Sequence, residues 1–188
     1  MKAQLTIADF DAAAAYLGCD VAAIEAVSEV ESSGGGFNDD DSIKVLFEGH
    51  HFHRYTHGVY DATHPTLSYP KWTRQFYGKN QTQEWARLNA ARELDPQAAL
   101  LSTSFGRFQV MGFNFAVCGE RTVEDFYDRL RESEANQLAA FCNYVQNRGL
   151  ADELREHRWA DFARLYNGPG AVDWYAQKMA QEYERHAA

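Results

Sequence analysis

Apolar residues recur along most of this chain at three- and four-residue spacing, the pattern of helices that bury one face. Phe10, Ala13, Ala14 and Leu17 make such a stripe between Thr6, a capping residue, and Gly18, so the spacing predicts a helix over 7–17. Asp20 opens a second, over 20–32, on which Ile24, Val27 and Glu31 stand at i, i+3 and i+7. Trp85, Leu88 and Ala91 share one face of a helix over 82–94, and Asp95-Pro96 starts a short one reaching Leu101. Further helices are predicted over 49–59, 122–130, 133–148, 150–157, 159–166 and 171–185. Only 43–47, β-branched and aromatic, reads as a strand, while Pro65, Pro70 and Gly78 make 60–81 irregular. The fold class is therefore mainly α, an α+β chain with a very small β segment.

At 188 residues the chain is long enough for one domain with a sizeable core, and no repeat or linker divides 1–188. Its net charge of −9 excludes a protein that neutralises phosphates, so neither nucleic acid nor an anionic membrane is an expected partner. Cys19, Cys118 and Cys142 have no CxxC spacing and cannot all pair; they read as reduced thiols. Asp9 and Asp11 interrupt any leader-like apolar run, and no stretch approaches the length of a membrane span. The expectation is a soluble monomer made in the cytoplasm without a signal peptide.

Glu31 carries the chemistry most sharply, because it faces inward at the end of its helix and runs into Ser32-Ser33-Gly34-Gly35-Gly36-Phe37. Partial burial and the negative end of the helix dipole both raise its pKa. An acid kept protonated near neutral pH can protonate a glycosidic oxygen, and the glycines offer backbone that a bulky polymer could approach. The plainer alternative is a frayed helix end with a Schellman-type glycine stop.

Two further segments join it: Gly106-Arg107-Phe108-Gln109 and Tyr166-Asn167-Gly168-Pro169-Gly170. In this order, with Glu31-Ser32, they resemble the signature segments of the lysozyme superfamily, particularly soluble lytic transglycosylases and goose-type lysozymes. The chain departs from these in lacking an Ala after Asn167 and in a much longer gap between its first two motifs. That gap carries Phe47-Glu48-Gly49-His50-His51-Phe52-His53, Tyr69-Pro70-Lys71-Trp72 and Glu84-Trp85. With it, the chain resembles the N-acetylmuramidase domain of bacteriophage endolysins.

The resemblance implies a lysozyme-like fold and a peptidoglycan hydrolase that cleaves between N-acetylmuramic acid and N-acetylglucosamine, with Glu31 as general acid. It implies action on periplasmic or cell-wall peptidoglycan, glycan strands as the partner, no cofactor and no separate wall-binding domain. A lytic transglycosylase, leaving 1,6-anhydromuramic ends, and a wall-binding module without catalysis stay open. The second carboxylate is Glu48 or one of Asp39, Asp40 and Asp41, for which a solvated turn is the plainer reading. Glu48 might equally be tied to Arg54 or His51 as a structural acid. Ser32 could bond Glu31 or cap backbone; Gln109 suits an acetamido group because its amide donates and accepts at once. Tyr166 and Asn167 either position Glu31 or touch sugar, with helix-end capping as their structural alternative. His50, His53 and His57 would share a helix face, yet no acid or Cys stands at ligand spacing, and no metal is expected.

Overall fold

Short polar residues decide where most helices begin. Thr6, Asp20, Asn80, Asp95, Thr122 and Ser133 each accept, through a side-chain oxygen, the backbone N–H three residues on. Each such cap contributes about 1 kcal/mol. The structure is a computed structural model that describes residues 2–33 and 35–188. Among these residues the helices are α1 (Ile7–Leu17), α2 (Val21–Ser32), α3 (Gly49–Tyr55), α4 (Gln81–Leu94) and α5 (Pro96–Leu101). They continue as α6 (Val123–Leu130), α7 (Glu134–Arg148), α8 (Ala151–Arg155), α9 (Trp159–Tyr166) and α10 (Val172–Ala187).

The sheet is antiparallel in the order β1 (Val45–Phe47), β2 (Thr103–Phe105), β3 (Val110–Met111). Val45 faces Phe105 and Phe47 faces Thr103, while Ser104 faces Met111. Only the first strand is legible by alternation; β2 and β3 are three and two residues long, too short to show a period. The core is rich in phenylalanine: Phe47, Phe52, Phe105, Phe108, Phe126, Phe141 and Phe162 are fully buried. Phe108 stacks on Phe141 at 4.4 Å between centroids, which seats the β2–β3 hairpin on α7. α10 lies along α2 and α9, closing the helical lobe around the helix that carries Glu31.

Two local expectations are corrected. Helix α3 stops at Tyr55 instead of reaching 59, because the Thr56 hydroxyl back-bonds to the Phe52 carbonyl at 2.7 Å and His57 takes a left-handed backbone (φ 54°). The helix-stopping residue after Glu31 is not a glycine. Ser33 adopts the left-handed conformation (φ 55°), and Lys44 Nζ caps the end by donating to the Ser32 carbonyl at 2.9 Å. Gly34, part of that glycine run, lies outside the described residues.

Candidate active site

Glu31 projects from the last turn of α2 into a hollow of about 430 Å³ shared with Ser32, Lys44, Leu46, Asn80 and Gln109. Surrounding protein removes water from its carboxyl group and pushes its pKa up to about 7, against a smaller downward pull from a hydrogen bond. That bond comes from Asn167 Nδ2, which donates to Glu31 Oε1 at 2.7 Å. Asn167 also lines a second hollow of about 650 Å³, walled by Trp72, Phe113, Tyr144 and Tyr166 and including Glu48. The Glu31–Asn167 hydrogen bond therefore links a residue of the first hollow to a residue of the second.

Glu48 follows β1 directly and is half-buried. Tyr77 donates its hydroxyl to Glu48 Oε2 at 2.6 Å, and His50 Nδ1 lies 3.3 Å from the same oxygen. Its partners are thus Tyr77 and His50, not Arg54 or His51. Burial alone would raise its pKa, but the bonds from His50 and Tyr77 and the charge of His50 outweigh it, leaving Glu48 below the usual carboxylate range. Tyr175 on α10 feels both acids: burial first, then the Glu31 and Glu48 charges, raise its phenol. Glu31 and Glu48 thus line two hollows, one acid with its pKa raised and the other with its pKa lowered.

The remaining expected residues are braced in ways that spacing does not reveal. Gln109 sits at φ 47° in the β2–β3 hairpin, accepting from Ser104 Oγ at 2.7 Å and donating to the Gly106 carbonyl at 2.8 Å. Its carbonyl is thereby engaged within the chain, leaving one amide hydrogen facing the hollow. Tyr166 donates to the Phe108 carbonyl at 2.6 Å, so its hydroxyl ties α9 to the same hairpin while its ring lines the groove. Ser32 Oγ bonds back to the Ser28 carbonyl at 3.2 Å, neither holding Glu31 nor capping an amide.

Gly36 and Gly106 are explained by packing rather than by an approaching polymer. A side chain at Gly36 would begin 1.9 Å from Gln137 Oε1, and one at Gly106 would begin 2.5 Å from Gln137 Cδ. Gln137 on α7 needs that closeness: it accepts from Arg107 N at 2.7 Å and donates to the Leu130 carbonyl at 3.0 Å. Beside it, Glu134 accepts from Gly36 N at 2.6 Å. Helix α7 thus binds the segment after Glu31 and the hairpin carrying Gln109 to each other.

The aspartates at 39–41 form an exposed turn, and none of them lines the hollow of Glu31 or that of Glu48. Asp40 bonds Ser42, and Asp41 accepts from Lys2 N at 2.8 Å. The histidines do not share one face: His53 bonds Asp61 at 2.8 Å, His57 lies beyond the helix, and His51 packs against Phe113. Burial, with the charge of His50, holds His51 neutral by lowering its pKa to about 4. Among the described residues, no group of three His, Cys, Asp or Glu is placed to hold a metal ion, and no helix is long and apolar enough to cross a membrane. Sequence reasoning missed Tyr77 and His50 as partners of Glu48; the aromatic density of 60–81 was the one available signal.

A helical lobe closed over a small antiparallel sheet, with a proton-holding glutamic acid at a helix end facing the groove between them, defines a lysozyme-like protein. The chain matches the N-acetylmuramidase family over residues 20–187, and it belongs to that family. It is also similar to the crystal structure of the Burkholderia AP3 phage endolysin, with a TM-score of 0.86 and 38% identity over 98% of this chain and 71% of that one. No curated protein sequence matches it.

Proposed function

We propose that this chain, a peptidoglycan-degrading enzyme by its family, hydrolyses the β-1,4 bond between N-acetylmuramic acid and N-acetylglucosamine. The observation that carries the reading is a pair of acids in two hollows linked by the Glu31–Asn167 hydrogen bond, one with its pKa raised by burial and the other with its pKa lowered by its hydrogen-bond partners. Glu31 gives its proton to the glycosidic oxygen as the bond to the anomeric carbon breaks, and Glu48, ionised, takes a proton from the attacking water. Solvent then reprotonates Glu31 and removes the proton from Glu48. Trp72, Phe113 and Tyr166 offer ring faces to the sugars, and the free amide hydrogen of Gln109 suits an acetamido oxygen. Ser32 and Asn167 border the hollows on either side of the bond to be cut. The target is wall peptidoglycan.

The test is digestion of purified sacculi, with mass spectrometry of the reducing ends released. Ordinary muramic acid ends are expected. Ends in 1,6-anhydromuramic acid would overturn hydrolysis in favour of internal attack by the C6 hydroxyl, which makes Glu48 unnecessary. Undiminished digestion by Glu31→Gln would remove the proposed acid altogether.

A further inference from the structure

The segment between α3 and α4 is too long for a simple connection, and its end is fastened with care. Tyr77 reaches Glu48 Oε2, and the next residue, Gly78, donates its N–H to Glu84 Oε1. Glu84 Oε2 in turn accepts from the backbone N–H of Phe47, the residue just before Glu48, at 3.2 Å. Arg87 Nη1 bonds both Glu84 oxygens, at 3.2 and 2.9 Å, and the Phe47 carbonyl at 3.0 Å. A carboxylate only 3% exposed thus grips the backbone beside each member of the Glu48–Tyr77 pair. Gly78 leaves no slack, since a side chain there would begin 2.8 Å from Glu84 N. Burying a charge pair is a poor route to stability, so its use beside Glu48 calls for a positional reason.

We infer that Tyr77 is a positioning residue for the reaction, seated by Glu84 so that it holds Glu48 through Oε2 and leaves Oε1 to the attacking water. The inference rests on the role proposed for Glu48. Among the described residues, both recorded partners of Glu48 lie on Oε2, and Glu48 borders the larger hollow. The groups facing it are His50 and His51 on α3, Tyr69 and Tyr77 on the connecting segment, and Tyr175 on α10, with Arg87 on α4 behind the two connecting-segment tyrosines. His51, with its pKa lowered to about 4, is neutral above that pH and is common to both variants, and His50 lends positive charge only when protonated. The Tyr77 phenol, pushed well up by burial and by Glu48, donates at every pH of interest. A donor of that kind favours the ionised carboxylate.

The experiment compares Tyr77→Phe with Tyr60→Phe by initial rates on purified sacculi between pH 3 and 8. Tyr60 anchors the same segment, through the Leu94 carbonyl at 2.8 Å, without touching Glu48. In Tyr77→Phe the acid limb of the rate profile should move up by about one pH unit. The rate near pH 4 should then fall severalfold while KM stays within twofold. Tyr60→Phe should leave the limb in place. Circular dichroism at each pH confirms that both variants stay folded across the limb, so that its position reports a titration and not acid unfolding. A limb unmoved in Tyr77→Phe, or moved equally in Tyr60→Phe, overturns the positioning role. Wild-type activity in Glu48→Gln would instead overturn the role of Glu48, and the inference with it.

Discussion

Glu31 is held in a state that a free glutamate would not keep, and the strain of that state is measurable as stability. Its folded pKa, about 7, lies above the ordinary value of 4.5, so the folded chain binds this proton more tightly than the unfolded one. Stability from this group is therefore fully present below about pH 4.5 and is lost as pH rises to about 7. Glu31→Gln should melt like wild type at pH 4, and at pH 8 it should be more stable by about 2 kcal/mol, a figure discounted for the partly exposed site. Calorimetry at the two pH values checks this. Asn167 acts on the same proton from the other side. Its hydrogen bond pulls the Glu31 pKa down, so Asn167→Ala should move the alkaline limb of activity upward from about 7, by about half a unit or more. A limb that stays put would mean that Asn167 does not set the acid's proton affinity. The inward face of Glu31 was legible from Ile24 and Val27. Its partner was legible only as a motif, because nothing local at Asn167 says which distant side chain it meets.

At the scale of elements, the parts of the site are tied together by α7, which carries neither Glu31 nor Glu48. Gln137 and Glu134 on that helix bind the backbone after Glu31 and the hairpin that carries Gln109. Two neighbouring glycines separate this role cleanly. A methyl group at Gly36 would collide with Gln137, whereas one at Gly35 would meet Lys44 Nζ at an ordinary 3.6 Å. Gly36→Ala should lose about 2–4 kcal/mol in urea unfolding, and Gly35→Ala less than about 1 kcal/mol. Equal losses would show that backbone freedom, not packing against α7, selects glycine here. The helices were legible because caps such as Asp20, Asp95 and Ser133 coincide with the start of an apolar stripe. The strands β2 and β3 were not, because Thr103–Phe105 and Val110–Met111 take their pairing from β1 and from each other, not from any period of their own. Tyr77 was hidden for a related reason: its place is set by Glu84 across the segment's end, a contact with no sequence period.

The whole molecule carries a net charge of −9, while its proposed substrate bears carboxylates too. Approach to the wall is then opposed at long range, and the opposition shrinks as the Debye length falls from about 30 Å at 0.01 M salt to about 10 Å at 0.1 M. Initial rates on sacculi at subsaturating concentration should rise severalfold between those salt concentrations, with kcat unchanged. A monotonic fall would point to a local cationic patch that outweighs the overall charge.

The acid and the amide that steadies it are 136 residues apart along the chain. A ribosome adding about 5–20 residues per second exposes Glu31 on the order of ten seconds before Asn167 exists. Until then the groove lacks one wall, and the helix bearing Glu31 lacks the α10 surface that covers it. Nascent chains stalled before Asn167 should therefore be lytically inert. On the proposed reading, catalytic competence waits until both segments have been made, so a chain that ends between them cannot cut a wall.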